Sequence, residues 1–121
     1  MKERKITPTT RSIEWLQAHG WHVDVVERRI THWLTKDAFG FGDLLAFRGD
    51  TGSHTGSIPP AIALVQVTDG SNMAKRRTKI LAESRARLWC RAGGRILLHG
   101  WRKVGTGPLK TWEVREEWVE L

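Results

Sequence analysis

Two short apolar segments separated by a polar stretch dominate the pattern of the chain. Residues 43–47 and 61–68 are mostly apolar and are bounded by residues typical of turns, which predicts two adjacent buried strands. Both segments contain polar residues. Asp43 opens the first, and Gln66 and Thr68 interrupt the second. Side chains alternate between the two faces of a strand, so Gln66 and Thr68 point to the same face. When the two strands pair, a carboxylate, an amide and a hydroxyl can converge at one end of the sheet.

The rest of the pattern predicts two helices and three further strands around this pair. In chain order we predict a helix at 11–19, a strand at 21–30, a connection at 31–38, strands at 43–47 and 61–68, a helix at 73–92, and strands at 95–104 and 111–121. Thr9 or Thr10 is the expected N-cap of the first helix, and Gly20 closes it. Three consecutive strands favour an antiparallel meander, and the helix after the third favours a crossover to a parallel fourth strand. The predicted fold is α/β, a five-stranded mixed sheet flanked by helices in the order α-β-β-β-α-β-β.

Length and cysteine content limit the architecture. The chain of 121 residues predicts a single domain, with a loose basic tail at 1–8 and an exposed loop at 48–60 that is rich in Gly, Ser, Thr and Pro. The sequence carries no apolar run long enough for a membrane span and no signal-peptide pattern, which predicts an intracellular, cytoplasmic protein. Cys90 is the only cysteine, so the chain has neither an internal disulfide nor a cysteine metal cluster.

The charge of the chain indicates a polyanionic partner. Twenty Lys and Arg residues against 13 Asp and Glu give a net charge of +7 and a pI near 10.3, which favours nucleic acid, although the charge can also serve solubility alone. A candidate phosphate-binding segment lies at the start of the long predicted helix and consists of Ser71, Asn72, Lys75, Arg76 and Lys79. The same segment is equally consistent with a capped and solvated helix.

The order of elements and the spacing of the polar residues resemble the PD-(D/E)xK nucleases, most closely the small archaeal Holliday junction resolvases and related phage nucleases. In that restriction-endonuclease-like family an early helix carries a glutamate, an aspartate begins the second strand, and a (D/E)-x-K tripeptide lies in the third. Glu14 matches the glutamate, Asp43 the aspartate, and Gln66-Val67-Thr68 the tripeptide. The resemblance covers the chain from residue 11 to the last strand and rests on order and spacing more than on identity.

The sequence departs from the family pattern at three positions. Gly42 stands where the family has a proline, Gln66 replaces an acid, and Thr68 replaces the lysine that helps to orient or activate the attacking water. Lys36 in the preceding connection is a candidate for a migrated lysine, and Lys79 is another.

The resemblance implies a Mg²⁺ or Mn²⁺ site and a hydrolytic function. The implied metal ligands are Glu14, Asp43, the side-chain oxygen of Gln66 and the main-chain carbonyl of Val67, and the implied catalytic residues are Glu14, Asp43, Gln66, Thr68 and Lys36. Each has a purely structural interpretation as well. Glu14 can serve the helix dipole, Asp43 can cap a turn and Gln66 can tie strands together. Lys36 can be a surface residue.

We therefore expect a phage-type, metal-dependent DNA endonuclease that acts on duplex or branched DNA such as Holliday junctions. Related resolvases act as two-fold pairs, which implies a homodimer. The small core leaves Trp112 and Trp118 to be buried against the partner, and the lack of a long apolar run predicts no membrane contact. The first alternative is a nucleic-acid-binding module that kept the fold and lost the chemistry. The second is an accessory protein of a phage or mobile element that works through protein contacts made by exposed tryptophans.

Overall fold

A five-stranded mixed sheet with helices packed on both faces organises the fold. The computed structural model describes residues 6–49 and 61–121. The predicted α/β class and five-stranded mixed sheet are confirmed. Most of the predicted tail at 1–8 and of the predicted loop at 48–60 lies outside the described residues.

The helices and strands follow each other with short connections. They are α1 (Pro8–Ala18), β1 (His22–Val25), β2 (Arg28–Arg29), β3 (Thr35–Lys36), β4 (Leu44–Arg48), β5 (Ala61–Asp69), α2 (Met73–Ala82), α3 (Ser84–Arg91), β6 (Arg95–Val104) and β7 (Thr111–Trp118). Short 3₁₀ turns at Gly70–Asn72 and Gly107–Leu109 precede α2 and β7. The sheet has the order β1-β4-β5-β6-β7, with β5 and β6 parallel and the other neighbours antiparallel. The β2–β3 hairpin forms a separate two-stranded sheet.

The predicted strand at 21–30 is wrong in its second half. Pairing between β1 and β4 runs from His22–Phe47 to Val25–Leu44, and Leu44 is the first residue of β4. Beyond Val25 the partner strand has ended, so the chain leaves the sheet and builds the β2–β3 hairpin from the second half of the predicted strand and from the predicted connection.

The first helix starts earlier than the sequence pattern predicts. Thr7 is the N-cap, and its side chain accepts a hydrogen bond from the Thr10 N–H at 3.2 Å. Pro8 is the first helical residue, a position that proline favours because it lacks the N–H that a first turn leaves unpaired. Thr9 and Thr10 are therefore inside the helix and are not its cap.

The single long helix predicted at 73–92 is two helices joined at Glu83. The backbone of Glu83 is extended (φ −87°, ψ 114°), which ends α2, and its carboxylate accepts from the Arg85 N–H at 3.2 Å, which caps α3. The break changes which side chains face the sheet. Ala86 is buried, whereas Leu88, which the unbroken helical spacing placed on the apolar stripe, is 59% exposed.

The sheet separates two apolar clusters. Leu16 of α1 packs with Ala46, Val65 and other residues on one face, and Ile80 of α2 packs with Leu64 and others on the opposite face. Gln66 and Thr68 alternate in step with Leu64 and therefore lie on the α2–α3 face. Within the described part of the chain, no helix combines the length and the apolar character that a membrane crossing requires.

Candidate metal centre and basic cleft

Asp43 lies directly before β4 and connects it to β5 through its side chain. The residue is buried, and its Oδ2 accepts from Gln66 Nε2 at 2.8 Å and from the Val67 N–H at 2.7 Å. The Asp43 N–H donates to the Val65 carbonyl at 2.9 Å. Both main-chain groups of a strand residue face the same neighbour, so the Val67 carbonyl is directed to this side of β5 too. The structure thus brings together Asp43, Gln66 and Val67, three of the four ligands that the family resemblance implies.

The amide of Gln66 has one unpaired group in this buried place. Its Nε2 is used by Asp43, whereas Oε1 is buried and has no hydrogen-bond partner among the described residues. Buried polar atoms are nearly always paired, and leaving one unpaired costs about 1–3 kcal/mol. An oxygen of this kind is a suitable ligand for a hard cation.

Two carboxylates that the sequence reasoning missed complete the site. Ligand oxygens of Glu27, Asp37 and Asp43 all lie within 4.8 Å of one another, and we call these three residues the acidic trio. Glu27 reaches the site because its N–H, like that of Val26, donates to the Asp43 carbonyl after β1 has ended. The predicted elements place Glu27 in the strand at 21–30 and Asp37 in the connection at 31–38.

A tight turn at residues 38–42 sets Asp37 opposite Asp43. Ala38 and Gly42 exchange main-chain hydrogen bonds of 2.7 and 2.9 Å, so the residues just outside this bridge face each other. The turn requires positive φ angles of 54° at Phe39 and 81° at Gly40. A turn of five residues flanked by two aspartates was the sequence signal that could have revealed Asp37.

Gly42 is needed where the family has a proline. A β carbon at this position would stand 2.9 Å from Leu64 Cδ2, a distance that real β carbons essentially never show. The Gly42 N–H also donates to the Ala38 carbonyl, a bond that proline cannot make. The departure from the family pattern therefore follows from the turn that positions Asp37.

The surroundings of Asp43 disfavour the ionised form of its carboxyl group. Burial, followed by a side-chain hydrogen bond with Asp37 and the negative charges of Asp37 and Glu27, raises the pKa of Asp43 to about 8, although the Val67 N–H acts in the opposite direction. A carboxyl group in such a site favours either a proton or a cation.

A cleft lined by cations adjoins the acidic trio. It has a volume of about 500 Å³, and we call it the basic cleft. The charged residues that line it are Arg28, Lys36, Asp37, Arg76, Lys79 and Arg85. The β2–β3 hairpin supplies one wall and α2–α3 the other, while Asp37 belongs to both the cleft and the acidic trio. Lys36 and Lys79, the two candidates for a migrated lysine, both line this cleft.

The structure does not bring Glu14 to this site. Glu14 is exposed on α1, which packs on the sheet face opposite to that of Gln66. Thr68 is buried on the same face as Gln66 and lies opposite Gly100 of β6 in the strand register.

The candidate DNA-binding residues divide into two groups. Asn72, Lys75, Arg76 and Lys79 line a second concavity of about 510 Å³ along α2. The N–H and the hydroxyl of Ser71 both donate to Asp69 Oδ1 at 3.0 Å, and these bonds lower the pKa of the Asp69 carboxyl. A carboxylate therefore already occupies the donors of Ser71, where we expected a phosphate.

The tryptophans differ in their exposure, and the single cysteine is half-buried. Trp118 is half-buried, 6.1 Å from Trp21, and Trp112 lies beneath the Arg11 guanidinium at 4.3 Å. Trp33, by contrast, is 84% exposed at the tip of the β2–β3 hairpin. Burial raises the pKa of the Cys90 thiol, which disfavours a reactive thiolate.

The chain matches no family model, and searches of curated proteins and of solved structures find no match to it. The acidic trio and the basic cleft are therefore the features that bear on function.

Proposed function

We propose that the protein is a divalent-metal-dependent DNA endonuclease with a restriction-endonuclease-like fold. One observation carries the proposal: Asp37 is shared by the acidic trio and the basic cleft, so candidate metal ligands adjoin a surface suited to phosphates. The resemblance to PD-(D/E)xK nucleases in the order of elements supports the same function.

The donor set fits Mg²⁺ or Mn²⁺. Both cations prefer oxygen ligands, and the acidic trio with Gln66 Oε1 offers three carboxylates and one amide oxygen. The Val67 carbonyl is directed to the same side of β5. A bound cation would offset the repulsion among the carboxylates, neutralise charge on a phosphate and lower the pKa of a bound water.

The cations of the basic cleft position the DNA in this proposal. Arg76, Lys79 and Arg85 on one wall and Arg28 on the other contact phosphates, which fixes the strand without specifying its sequence. Lys36 is the last residue of the opposite strand of the hairpin and immediately precedes Asp37. It therefore takes the role of the lysine that Thr68 replaces.

The test is cleavage of labelled DNA in four forms, namely duplex, single-stranded, flap and four-way junction, with Mg²⁺, with Mn²⁺ and with chelator. The expected result is cleavage that requires the metal. Asp43→Asn and Glu27→Gln should each lower the rate about 100-fold or more, because loss of even an indirect metal contact costs about 10- to 100-fold.

Glu14→Gln is the matched comparison, because it neutralises a glutamate on the opposite face of the sheet. The structure predicts an unchanged rate, whereas the ligand set implied by the family resemblance predicts a loss. A parent rate in Asp43→Asn or Glu27→Gln would contradict the acidic trio as the active site.

A nucleic-acid-binding module without catalysis is the second candidate function. It is favoured by Thr68 in place of a lysine and by the structural role of Asp43, which already accepts the Val67 N–H. If neither the parent nor Gln66→Glu cuts any of the four DNA forms with either metal, this function replaces the nuclease.

A further inference from the structure

The tip of the β2–β3 hairpin exposes an aromatic ring that the fold does not use. Trp33 is 84% exposed and belongs to neither apolar cluster of the described residues. The tip is nevertheless well defined, since the Ile30 N–H donates to the Leu34 carbonyl at 2.8 Å and Arg29 Nη2 donates to the His32 carbonyl at 3.3 Å. A hydrogen-bonded tip that presents an exposed indole, in contact only with the neighbouring His32 ring at 6.3 Å among the described residues, is suited to a binding role.

The hairpin combines this ring with positive charge only. Residues 28–36 contain two arginines and one lysine and no acidic residue. Arg28 and Lys36 pair across the hairpin and line the basic cleft, which places the cations between Trp33 and the acidic trio. The cleft also contains Phe39, which is 54% exposed and lies 5.9 Å from the Arg85 guanidinium. Cations in a groove with exposed aromatic rings are typical of sites that bind unpaired nucleotides, because bases stack on the rings while the phosphates contact the cations.

We propose that the β2–β3 hairpin binds unpaired nucleotides of the DNA substrate, with Trp33 stacked on a nucleobase and with Arg28 on a neighbouring phosphate. This inference rests on the proposed function for its substrate, and it narrows that substrate to DNA in which unpaired bases adjoin the cleaved bond. DNA is the occupant that we propose for the tip, because its phosphates complement the positive charges of the hairpin and its bases can stack on Trp33.

The test measures binding without cleavage, in chelator, by fluorescence anisotropy of a labelled single-stranded oligothymidylate and of a blunt duplex of equal length. Trp33→Leu should weaken binding of the single strand about 5- to 100-fold, the range expected for loss of one base–aromatic stack, with a smaller loss for the duplex. Trp33→Phe should retain most of the affinity, because a phenyl ring still stacks. Leu109→Ala is the matched control, since Leu109 is 81% exposed on the β6–β7 connection and lies outside the cleft.

The outcomes separate this inference from the proposed function. Equal affinity of the parent and Trp33→Leu for the single strand overturns the hairpin inference, even if both proteins cut duplex DNA. Loss of single-strand affinity in a protein that cuts no DNA supports the hairpin inference and overturns the nuclease. Absence of DNA binding by the parent at low salt overturns both, and the melting temperatures of the variants show whether each is folded.

Discussion

At the scale of single residues, Asp43 connects the fold to the candidate chemistry. Its carboxylate accepts a hydrogen bond from the Val67 N–H just before β4 begins, so the side chain continues the hydrogen bonding between β4 and β5. The same carboxylate belongs to the acidic trio. The position of Asp43 is therefore compatible both with a role in joining the strands and with a role as a metal ligand. Measuring stability and activity separately in its variants distinguishes the two roles.

The raised pKa of Asp43 predicts a pH-dependent stability in chelator. The folded-state pKa is about 8, against about 3.9 for an aspartate in an unfolded chain. Between these values the folded protein binds the additional proton, so the free energy of unfolding should fall as the pH rises from about 4 to about 8. The loss should reach a few kcal/mol, since one pKa unit corresponds to about 1.4 kcal/mol.

Urea unfolding of the parent and of Asp43→Asn at about pH 5 and about pH 9 measures this effect, because other titrating groups are common to both proteins. The stability of the variant relative to the parent should be greater at the higher pH. A difference that does not change with pH would contradict the raised pKa.

Gln66→Glu distinguishes a metal site from a buried amide that only ties strands together. In chelator the variant should be less stable by about 1–3 kcal/mol, because a carboxylate replaces the donor that now bonds to Asp43. Mg²⁺ should raise its melting temperature more than that of the parent, since a fourth carboxylate increases the affinity of the folded protein for the cation.

Gln17→Glu, an exposed change on α1, is the matched control for the added charge. Equal stabilisation of the parent and Gln66→Glu by Mg²⁺ would contradict a cation site at Gln66. Retained or increased cleavage by Gln66→Glu would agree with the acid of the family tripeptide.

The residue-scale predictability of the site was uneven for a physical reason. Asp43 and Gln66 were found because each interrupts an apolar strand. Glu27 and Asp37 lie in polar surroundings, where a carboxylate is ordinary in sequence terms. Only the bridge between Ala38 and Gly42 and the hydrogen bond from the Glu27 N–H bring them to Asp43, and such main-chain contacts leave no clear pattern in the sequence.

At the scale of elements, a buried polar network joins α1 to the sheet. Trp101 Nε1 donates to Ser12 Oγ at 2.7 Å, Ser12 Oγ lies 2.9 Å from His99 Nδ1, and His99 Nε2 lies 2.8 Å from Glu116 Oε2. The pairing is complete when the Ser12 hydroxyl donates to Nδ1 and the His99 Nε2–H donates to Glu116. The order of serine, histidine and carboxylate is that of a hydrolytic triad, but Ser12 is fully buried and inaccessible to a substrate.

Ser12→Ala should therefore destabilise the fold by about 2–4 kcal/mol, because it leaves the Trp101 N–H and His99 Nδ1 unpaired in the core. Chemical denaturation measures the change. Ser84→Ala, at an exposed position that begins α3, removes the same hydroxyl and should change stability far less. A loss in Ser12→Ala no larger than in Ser84→Ala would show that the network contributes little to stability.

The elements also show where periodicity alone fails. Helical spacing from Met73 to Leu88 predicted one helix, because the break at Glu83 involves neither glycine nor proline. The break depends on one carboxylate that caps the Arg85 N–H and contacts the Arg85 guanidinium at 2.8 Å. The β2–β3 hairpin was missed because two-residue strands are too short for a period.

At the scale of the whole molecule, part of the positive charge of the chain is gathered in one cleft. The basic cleft gathers arginine and lysine side chains from the β2–β3 hairpin and from α2–α3, elements distant in the sequence. Composition shows only that the chain is basic, while the position of the cleft depends on how the hairpin and the helices are placed around the acidic trio.

Neutralising Lys75 and Arg76 together should weaken DNA binding about equally for all sequences, since phosphate contacts do not read bases. Each phosphate contact contributes about 0.9 to the slope of log affinity against log salt, so the slope should fall by about 2. Anisotropy titrations at several salt concentrations measure it. The matched control neutralises Arg102 and Lys110, which are exposed on the β6–β7 hairpin. An equal fall of the slope in both double variants would contradict a DNA-binding surface at Lys75 and Arg76.

The position of the acidic residues around the hairpin has a thermodynamic consequence for the proposed nuclease. Glu27 immediately precedes β2 and Asp37 immediately follows β3, so a strand of DNA that holds the hairpin also fixes two carboxylates of the acidic trio. The coupling must be reciprocal: the factor by which DNA increases the affinity for the cation equals the factor by which the cation increases the affinity for DNA. In the proposed nuclease, bound DNA would therefore increase the affinity of the acidic trio for the cation, and the substrate itself would act as the activator.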